Sequence, residues 1–199
     1  MQTEIEAKFL GTNHDSLRTR LDELGAVCQR PVTVTTRVNM DYADRRLKKQ
    51  GSWVRVRNNG NKVTLTYKQL DSWTLSGVKE IEIVVSDFAQ TQALLEAVGL
   101  QVCSRQTTKR ETWTYKGSEV VLDEWPWVKP FIEIEGPSEA AVNDIAKDLG
   151  LDWENAVFGS VEPVYMAEYD ITEEQFLEID SITFDQQPPA WLLKAKRKT

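Results

Sequence analysis

The sequence predicts an α+β protein dominated by antiparallel sheet, and two observations carry that expectation. The first is a set of short runs in which apolar and polar residues alternate strictly, the pattern of a strand with one buried face. They are Thr3 to Phe9, Ser52 to Asn58, Lys62 to Gln69, Val78 to Val85, Thr108 to Tyr115, Glu119 to Trp125 and Pro130 to Gly136. The second is that capped, amphipathic helical patterns fill the intervals between them.

Within each run the polar member is usually charged. Successive side chains on a strand point to opposite faces. Glu4, Glu6 and Lys8 therefore share one face and Ile5, Ala7 and Phe9 the other. The same split separates Arg55 and Arg57 from Val54 and Val56, and Glu133 and Glu135 from Ile132 and Ile134. Asn58 to Asn61 reads N-N-G-N between two such runs, a turn that pairs the Arg55/Arg57 strand with the Thr64/Thr66/Lys68 strand.

Asn13 or Asp15 caps the first predicted helix, which carries Leu17, Leu21 and Leu24 and stops at Gly25. Ser86 or Asp87 caps the second, with Leu94, Leu95 and Val98 before Gly99. Ser138 caps the third, with Val142, Ile145 and Leu149 before Gly150. Each follows an E-I-E strand, at Glu4 to Glu6, Glu80 to Glu82 and Glu133 to Glu135. Thr172 caps a short helix holding Phe176, with Ile179 beyond it, and Pro188-Pro189 breaks the chain before a basic end at Lys194 to Thr199.

Composition narrows the chemistry. With 24 Lys plus Arg against 31 Asp plus Glu in 199 residues, the formal charge is −7, so no overall basic field draws the chain to nucleic acid or to an anionic membrane. No apolar stretch approaches the roughly 20 residues of a membrane helix. Glu4 and Glu6 stand where a signal peptide would carry basic and then apolar residues, and the expected location is cytoplasmic. One histidine and two cysteines cannot assemble a Cys/His metal site or a disulfide framework. His14, Cys28 and Cys103 are expected to be structural, and any metal must be held mainly by oxygen.

The ionic faces decide the architecture. Were they all solvated, the apolar faces of seven strands would need cover from three or four helices. A closed barrel resolves this, with the ionic faces lining its interior and the apolar faces lying outward beneath the helices. Such a tunnel gathers carboxylates from Glu4, Glu6, Glu80, Glu82, Asp123, Glu133 and Glu135 with bases from Lys8, Arg55, Arg57, Lys68 and Lys109 or Arg110. Clustered carboxylates suit hard cations such as Mg²⁺ or Mn²⁺. The guanidinium fork and the lysine ammonium suit phosphate, so the combined set matches a metal-bound polyphosphate.

The ordered motifs Glu4-x-Glu6-x-Lys8, Arg55-x-Arg57, Lys68, Glu80-x-Glu82, Arg110, Asp123 and Glu133-x-Glu135 resemble those of the CYTH proteins, the triphosphate tunnel metalloenzymes. The resemblance runs over about residues 3 to 170. It implies an antiparallel eight-stranded closed β-barrel, the tunnel, with flanking helices. Residues 1–180 would form the tunnel domain and 181–199 a basic tail or short helix.

By the same resemblance, Glu4, Glu6, Glu82, Asp123, Glu133 and Glu135 are the metal set. Lys8, Arg55, Arg57 and Lys68 are the catalytic set, and with Lys109 and Arg110 they clamp a small-molecule triphosphate. The implied reaction is divalent-metal-dependent hydrolysis of the terminal phosphate of inorganic triphosphate or of an organic triphosphate such as thiamine triphosphate. Class IV adenylyl cyclases in the family resemble one another in a His-Phe pair that Cys28 to Tyr42 lacks, which favours hydrolysis over cyclisation. A binding module without turnover is the third reading. Trp53, Trp73, Trp113, Trp125 and Trp127 are candidates to stack on an organic group. The family and the aromatic surplus are compatible with a homodimer.

Overall fold

In the computed structural model, which describes residues 1–198, the chain builds one sheet of ten strands. The strands are β1 (Gln2–Glu4), β2 (Glu6–Leu10), β3 (Val27–Tyr42), β4 (Ser52–Asn58), β5 (Val63–Leu70), β6 (Val78–Val85), β7 (Leu100–Tyr115), β8 (Ser118–Glu124), β9 (Phe131–Glu135) and β10 (Ser181–Ile182). Their order is β1-β6-β5-β4-β3-β7-β8-β9-β2, with antiparallel neighbours throughout, and β10 adds to β7 in parallel. Because β1 and β2 are consecutive, the two ends of this path meet and the sheet is nearly closed into a barrel.

The path has nine strands where eight were expected, and the reason lies at Ile5, which splits the N-terminal strand. Its carbonyl accepts from Gly136 N at 3.0 Å, while Glu6 N donates to the Leu75 carbonyl at 3.1 Å. Farther on, Lys8 and Val157 exchange two backbone bonds of 2.8 Å. The seam left by the split is thus filled by other backbone, as buried amides require.

The helices are α1 (His14–Glu23), α2 (Phe88–Ala97), α3 (Glu139–Asp148), α4 (Glu162–Glu168), α5 (Glu173–Leu177) and α6 (Ala190–Lys194). Asn13, Asp87, Ser138 and Thr172 cap α1, α2, α3 and α5 through their side chains. The β4–β5 hairpin turns at Gly60, whose φ of +87° is open to glycine at little cost. Helices α1 and α3 cover the outer face of the β2–β9–β8 region, where Ala7, Ile132 and Ile134 meet Leu21, Val142 and Ile145.

Helix α2 covers Val38, Met40 and Val56 with Phe88 and Leu95. Its Leu94 and Val98, expected among the buried positions, face solvent instead because the docked stripe runs through Phe88, Thr91 and Leu95. Among the described residues no helix buries Ile81 and Ile83 on the outer face of β6, and both are about half exposed.

A third cluster joins α4 and α5 to the barrel through Tyr165, Tyr169 and Phe176 against Trp125 and Phe131. Residues 181–198 dock here as well. Ile182 and Leu192 are fully buried, and Arg197 N donates to the Glu168 carbonyl at 2.9 Å. Thr199, the last residue of the expected basic tail, lies outside the described residues. Among the described residues no helix is long and apolar enough to cross a membrane.

Candidate functional site: a charged cavity inside the barrel

Period-2 geometry sends the ionic faces inward. One cavity of about 380 Å³ runs inside the barrel, in the size range of roughly 300–1,000 Å³ usual for ligand sites. Its lining includes Glu4, Glu6 and Lys8 from the N-terminal strands, Arg37 from β3, Arg55 and Arg57 from β4, and Lys68 from β5. Glu80 and Glu82 come from β6, Arg110 from β7, Glu119 from β8, and Glu133 and Glu135 from β9. The cavity reaches Asn59 and Lys62 at the β4–β5 turn and Phe176 and Ile179 near α5. Strand register sets the neighbours, with Lys8 opposite Glu133, Glu6 opposite Glu135, Lys68 opposite Glu80 and Arg57 opposite Arg37.

The buried charges are knitted into pairs, as desolvated ions must be. Lys8, 2% exposed, donates to Glu6 at 2.7 Å and to the Gly159 carbonyl at 2.5 Å, with Glu133 at 3.5 Å. Gly159 sits at φ +87°, and a Cβ there would press into the Trp73 ring, so glycine lets this carbonyl reach the lysine. Lys68 contacts both oxygens of Glu4 at 2.6 Å and Glu80 at 3.4 Å. Arg110 is the most heavily committed. Its fork grips Asp123, with Nε at 2.9 Å and a second bond from Nη2, and Nη2 also meets Glu133 at 2.6 Å.

These pairs set the ionisation. Burial by itself would lower the Lys8 and Arg110 pKa values, but Glu6 and Glu133 around the lysine, and Asp123 and Glu133 around the arginine, more than reverse it and hold both raised. Burial pushes the Glu133 carboxyl up, and Arg110 and Lys8 pull it well below the usual carboxylate range. Arg110 and Glu133 are therefore ionised, whereas burial and the neighbouring Glu133 hold Asp123 above the ordinary aspartate value against the pull of Arg110.

The two sides of the tunnel differ. In the sheet order β3 and β4 lie opposite the β1/β2 seam. On the β3–β4 side Arg55 and Arg57 share a single carboxylate, Glu82, at 3.8 and 3.4 Å. The Nε–H groups of Arg37, Arg55 and Arg57 are all buried without an acceptor. Burial, then the neighbouring Arg55 and Arg110, lowers Arg57 to about 9. Burial also raises Glu82, but Arg57 overrides it and leaves Glu82 lowered. Such guanidiniums lack the anion that would stabilise their charge.

On the seam side the excess is acidic. Glu135 makes no ion pair among the described residues. Burial, followed by repulsion from Glu4, Glu6 and Glu119, raises it to about 7. Glu4 is also raised, by burial and by Glu80 against the opposing pull of Lys68.

This carboxylate set fits a hard divalent cation, which would relieve the repulsion that lifts Glu135. Among the described residues no three such side chains already converge as ligands, because Glu4, Glu6 and Glu133 are turned onto Lys68, Lys8 and Arg110.

The raised Glu135 has a signed consequence. The native state binds more protons here than the unfolded chain between pH 4.5 and about 7, so stability falls as pH rises through that window. Metal-free protein is expected to lose on the order of 1–3 kcal/mol between pH 5 and 8. Urea unfolding measures this, and saturating Mg²⁺ should flatten the fall. A rise in metal-free stability across the interval would contradict the assigned electrostatics.

Of the residues expected from sequence, Glu4, Glu6, Lys8, Arg55, Arg57, Lys68, Glu82, Arg110, Glu133 and Glu135 line the cavity together. Asp123 lies beneath Arg110 at 0% exposure. Lys109 is a correction. Adjacent to Arg110 on β7, it points to the opposite face, pairs with Glu124 at 3.3 Å and lies 5.0 Å from the Phe184 ring centroid. Strand alternation admits only one of the two to the interior.

Trp53 and Trp125 border the cavity, whereas Trp113 is buried under α1 and α3, and Trp73 and Trp127 lie outside it. His14 is buried with Nε2 3.1 Å from the Phe131 carbonyl oxygen, away from the cavity. Sequence reading missed Arg37, Glu119 and Glu162 as lining residues. Arg37 alternates with Thr35 and Asn39 on β3, and that inward register was the available signal.

The profile of the CYTH domain matches residues 2–157. No curated protein sequence matches the chain significantly. Solved structures of similar fold include the PH1012 protein of Pyrococcus horikoshii, at TM-score 0.65 and 22% identity over 77% of this chain and 93% of that one. A Vibrio parahaemolyticus protein provisionally named an adenylate cyclase gives TM-score 0.72 and 15% identity, covering 83% and 98%. HpAC1 of Hippeastrum, provisionally an adenylyl cyclase described with a dominant triphosphatase activity, gives TM-score 0.55 and 15% identity, covering 79% and 91%. These likenesses of fold agree with the profile match, which spans most of the sequence. The chain belongs to the CYTH domain family.

Proposed function

We propose that the cavity binds a triphosphate together with a divalent cation, Mg²⁺ or Mn²⁺, and hydrolyses its terminal phosphate. The observation that carries this is the pair Arg55 and Arg57, buried, sharing one carboxylate, and each presenting an Nε–H without an acceptor. Buried orphan donors are costly, so a wall of them is built for an anion that arrives later. A carboxylate wall stands across the tunnel. A polyphosphate chain with a cation on its oxygens satisfies both.

Glu4, Glu6 and Glu135 are best placed to hold the cation, with Glu80 and Glu119 beside them. Asp123 and Glu133 keep Arg110 oriented, and Glu82 spaces the two arginines. When bound, the cation neutralises phosphate charge and orients the terminal group. Arg55 and Arg57 grip phosphoryl oxygens through their forks, and Lys8 and Lys68 add point charges once their carboxylates turn away. Water attacks the terminal phosphorus in line. Its oxygen forms the new P–O bond and releases its proton to solvent, the anhydride P–O bond breaks, and the electron pair leaves on the bridging oxygen, where the bases stabilise the growing charge.

Orthophosphate release from inorganic triphosphate, thiamine triphosphate and ATP, assayed in parallel with Mg²⁺ or Mn²⁺, tests the reading and ranks the substrates. Glu135→Gln, which breaks no ion pair, is expected to lower the rate at least about 10²-fold with no loss of melting temperature. Pyrophosphate with cyclic AMP from ATP would establish a cyclase instead. Tight triphosphate binding without any product would leave a binding module.

A further inference from the structure

Arg37 stands apart from the other cations buried in the cavity wall. Lys8, Lys68, Arg55, Arg57 and Arg110 each meet a carboxylate within 4.0 Å, whereas Arg37, 6% exposed, has no ion pair among the described residues. It donates one Nη2–H bond, to the Thr108 hydroxyl at 3.0 Å, and its guanidinium lies over the Trp125 ring, 4.5 Å from the centroid. The Arg37 Nε–H has no acceptor, and neither has the buried Trp125 Nε1–H. Both residues line the cavity.

Register places Arg37 directly opposite Arg57, on the side away from Glu82, and opposite Gln106 on β7. Burial, then the charges of Arg55, Arg110 and Arg57, hold its pKa well below the ordinary arginine value. A packing role does not account for a charged group in that position. An apolar side chain of the same length would fill the space beneath Trp125 without an unpaired charge or an orphan donor.

We propose that Arg37, held flat by Trp125, forms an anion subsite that adjoins the Arg55/Arg57 clamp and takes one further phosphoryl group, so that the cavity selects a triphosphate chain over pyrophosphate. The inference deepens the triphosphate reading above and rests on it. The stacked ring fixes the guanidinium plane. Arg37 Nε–H and Trp125 Nε1–H then supply two preorganised donors, and Arg57 on the facing strand supplies the continuity with the rest of the chain of phosphates.

The test measures binding of inorganic triphosphate and pyrophosphate by calorimetry with Mg²⁺, alongside ligand-free melting temperature, for the wild type, Arg37→Met, Arg37→Lys and Trp125→Phe. Arg37→Met is expected to weaken triphosphate roughly 10- to 100-fold and pyrophosphate less than about threefold, while the ligand-free melting temperature stays level or rises. Arg37→Lys should recover part of the affinity but not the full discrimination. Trp125→Phe, which keeps a ring but loses Nε1–H, should cost triphosphate a few-fold.

Unchanged triphosphate affinity in Arg37→Met, or a lowered melting temperature with both ligands weakened equally, would overturn the subsite. The second pattern would mark Arg37 as structural. Absence of triphosphate binding by the wild type would defeat the functional reading itself, whatever the variants did.

Discussion

Phosphate release by Arg57→Ala is expected to fall about 10³-fold, and the Arg55→Ala/Arg57→Ala pair further still, with no loss of ligand-free stability. Both guanidiniums face the cavity from adjacent inward positions of β4, and both offer buried Nε–H groups with no acceptor among the described residues. Arginines placed on transferring phosphoryl groups account for roughly 10³ to 10⁵ in rate. The stability side of the prediction follows from the same geometry. Arg57 is lowered to about 9 by burial and by Arg55 and Arg110, so its removal relieves repulsion that Glu82, and then Glu133, only partly offset. Single-turnover rates and thermal melts separate the two effects. A variant that melted many degrees lower while keeping its rate would show that β4 uses these arginines for folding.

Arg110→Ala should behave in the opposite way. Arg110 lines the same cavity, yet its fork closes on Asp123, fully buried, and on Glu133. Removing it leaves the fully buried Asp123 without its cation and Glu133 with only Lys8, 3.5 Å away, a defect of about 3–5 kcal/mol. Against a total stability of roughly 5–15 kcal/mol, much of the protein would unfold under mild urea.

The pH dependence checks the mechanism. In the variant Asp123, which burial already holds above the ordinary aspartate value, loses the pull of Arg110 and rises further, while Glu133 rises from its lowered value with Lys8 still beside it. Its stability should therefore recover as pH falls toward 5 and be lost as pH rises. Wild-type protein lacks this large recovery, because Arg110 holds Glu133 below the usual carboxylate range. Equal urea midpoints for variant and wild type at pH 7 would refute the structural role of the triad.

The contrast between Arg57 and Arg110 shows where sequence reading reaches its end. Both appear in the chain as arginines on alternating strands, and period-2 alternation placed each on an ionic face. The residue on the paired strand decides which is a free donor and which is a strut, and that partner is set by the register between the two strands. Arg110 meets Asp123 because β7 and β8 form a hairpin in which the two are opposite. Arg57 meets Arg37 because β3 pairs with β4 in a particular register.

Strand β3 itself escaped the alternation test. Its inward positions Thr33, Thr35, Arg37 and Asn39 carry a single charge, and its outward Val34, Thr36, Val38 and Met40 are broken by a polar residue, so the charged alternation that exposed the other strands is diluted. With β3 went Arg37. The first half of β7 was overlooked for the same reason, since Ser104, Gln106 and Thr108 are neutral.

By itself, the sequence determined the seven alternating runs, the caps of α1, α2, α3 and α5, the inward orientation of the ionic faces and the expectation that any metal is held mainly by oxygen. These follow from local rules, namely alternation at a period of two, cap chemistry and residue inventory. Tertiary structure alone decided the split at Ile5, the exclusion of Lys109, the docking of residues 181–198 and the division of the tunnel into an acidic and an arginine-rich wall. Each of those depends on which buried groups face one another across the barrel. The energies that distinguish paired from unpaired charges act through space within a few ångströms, and order along the chain does not contain them.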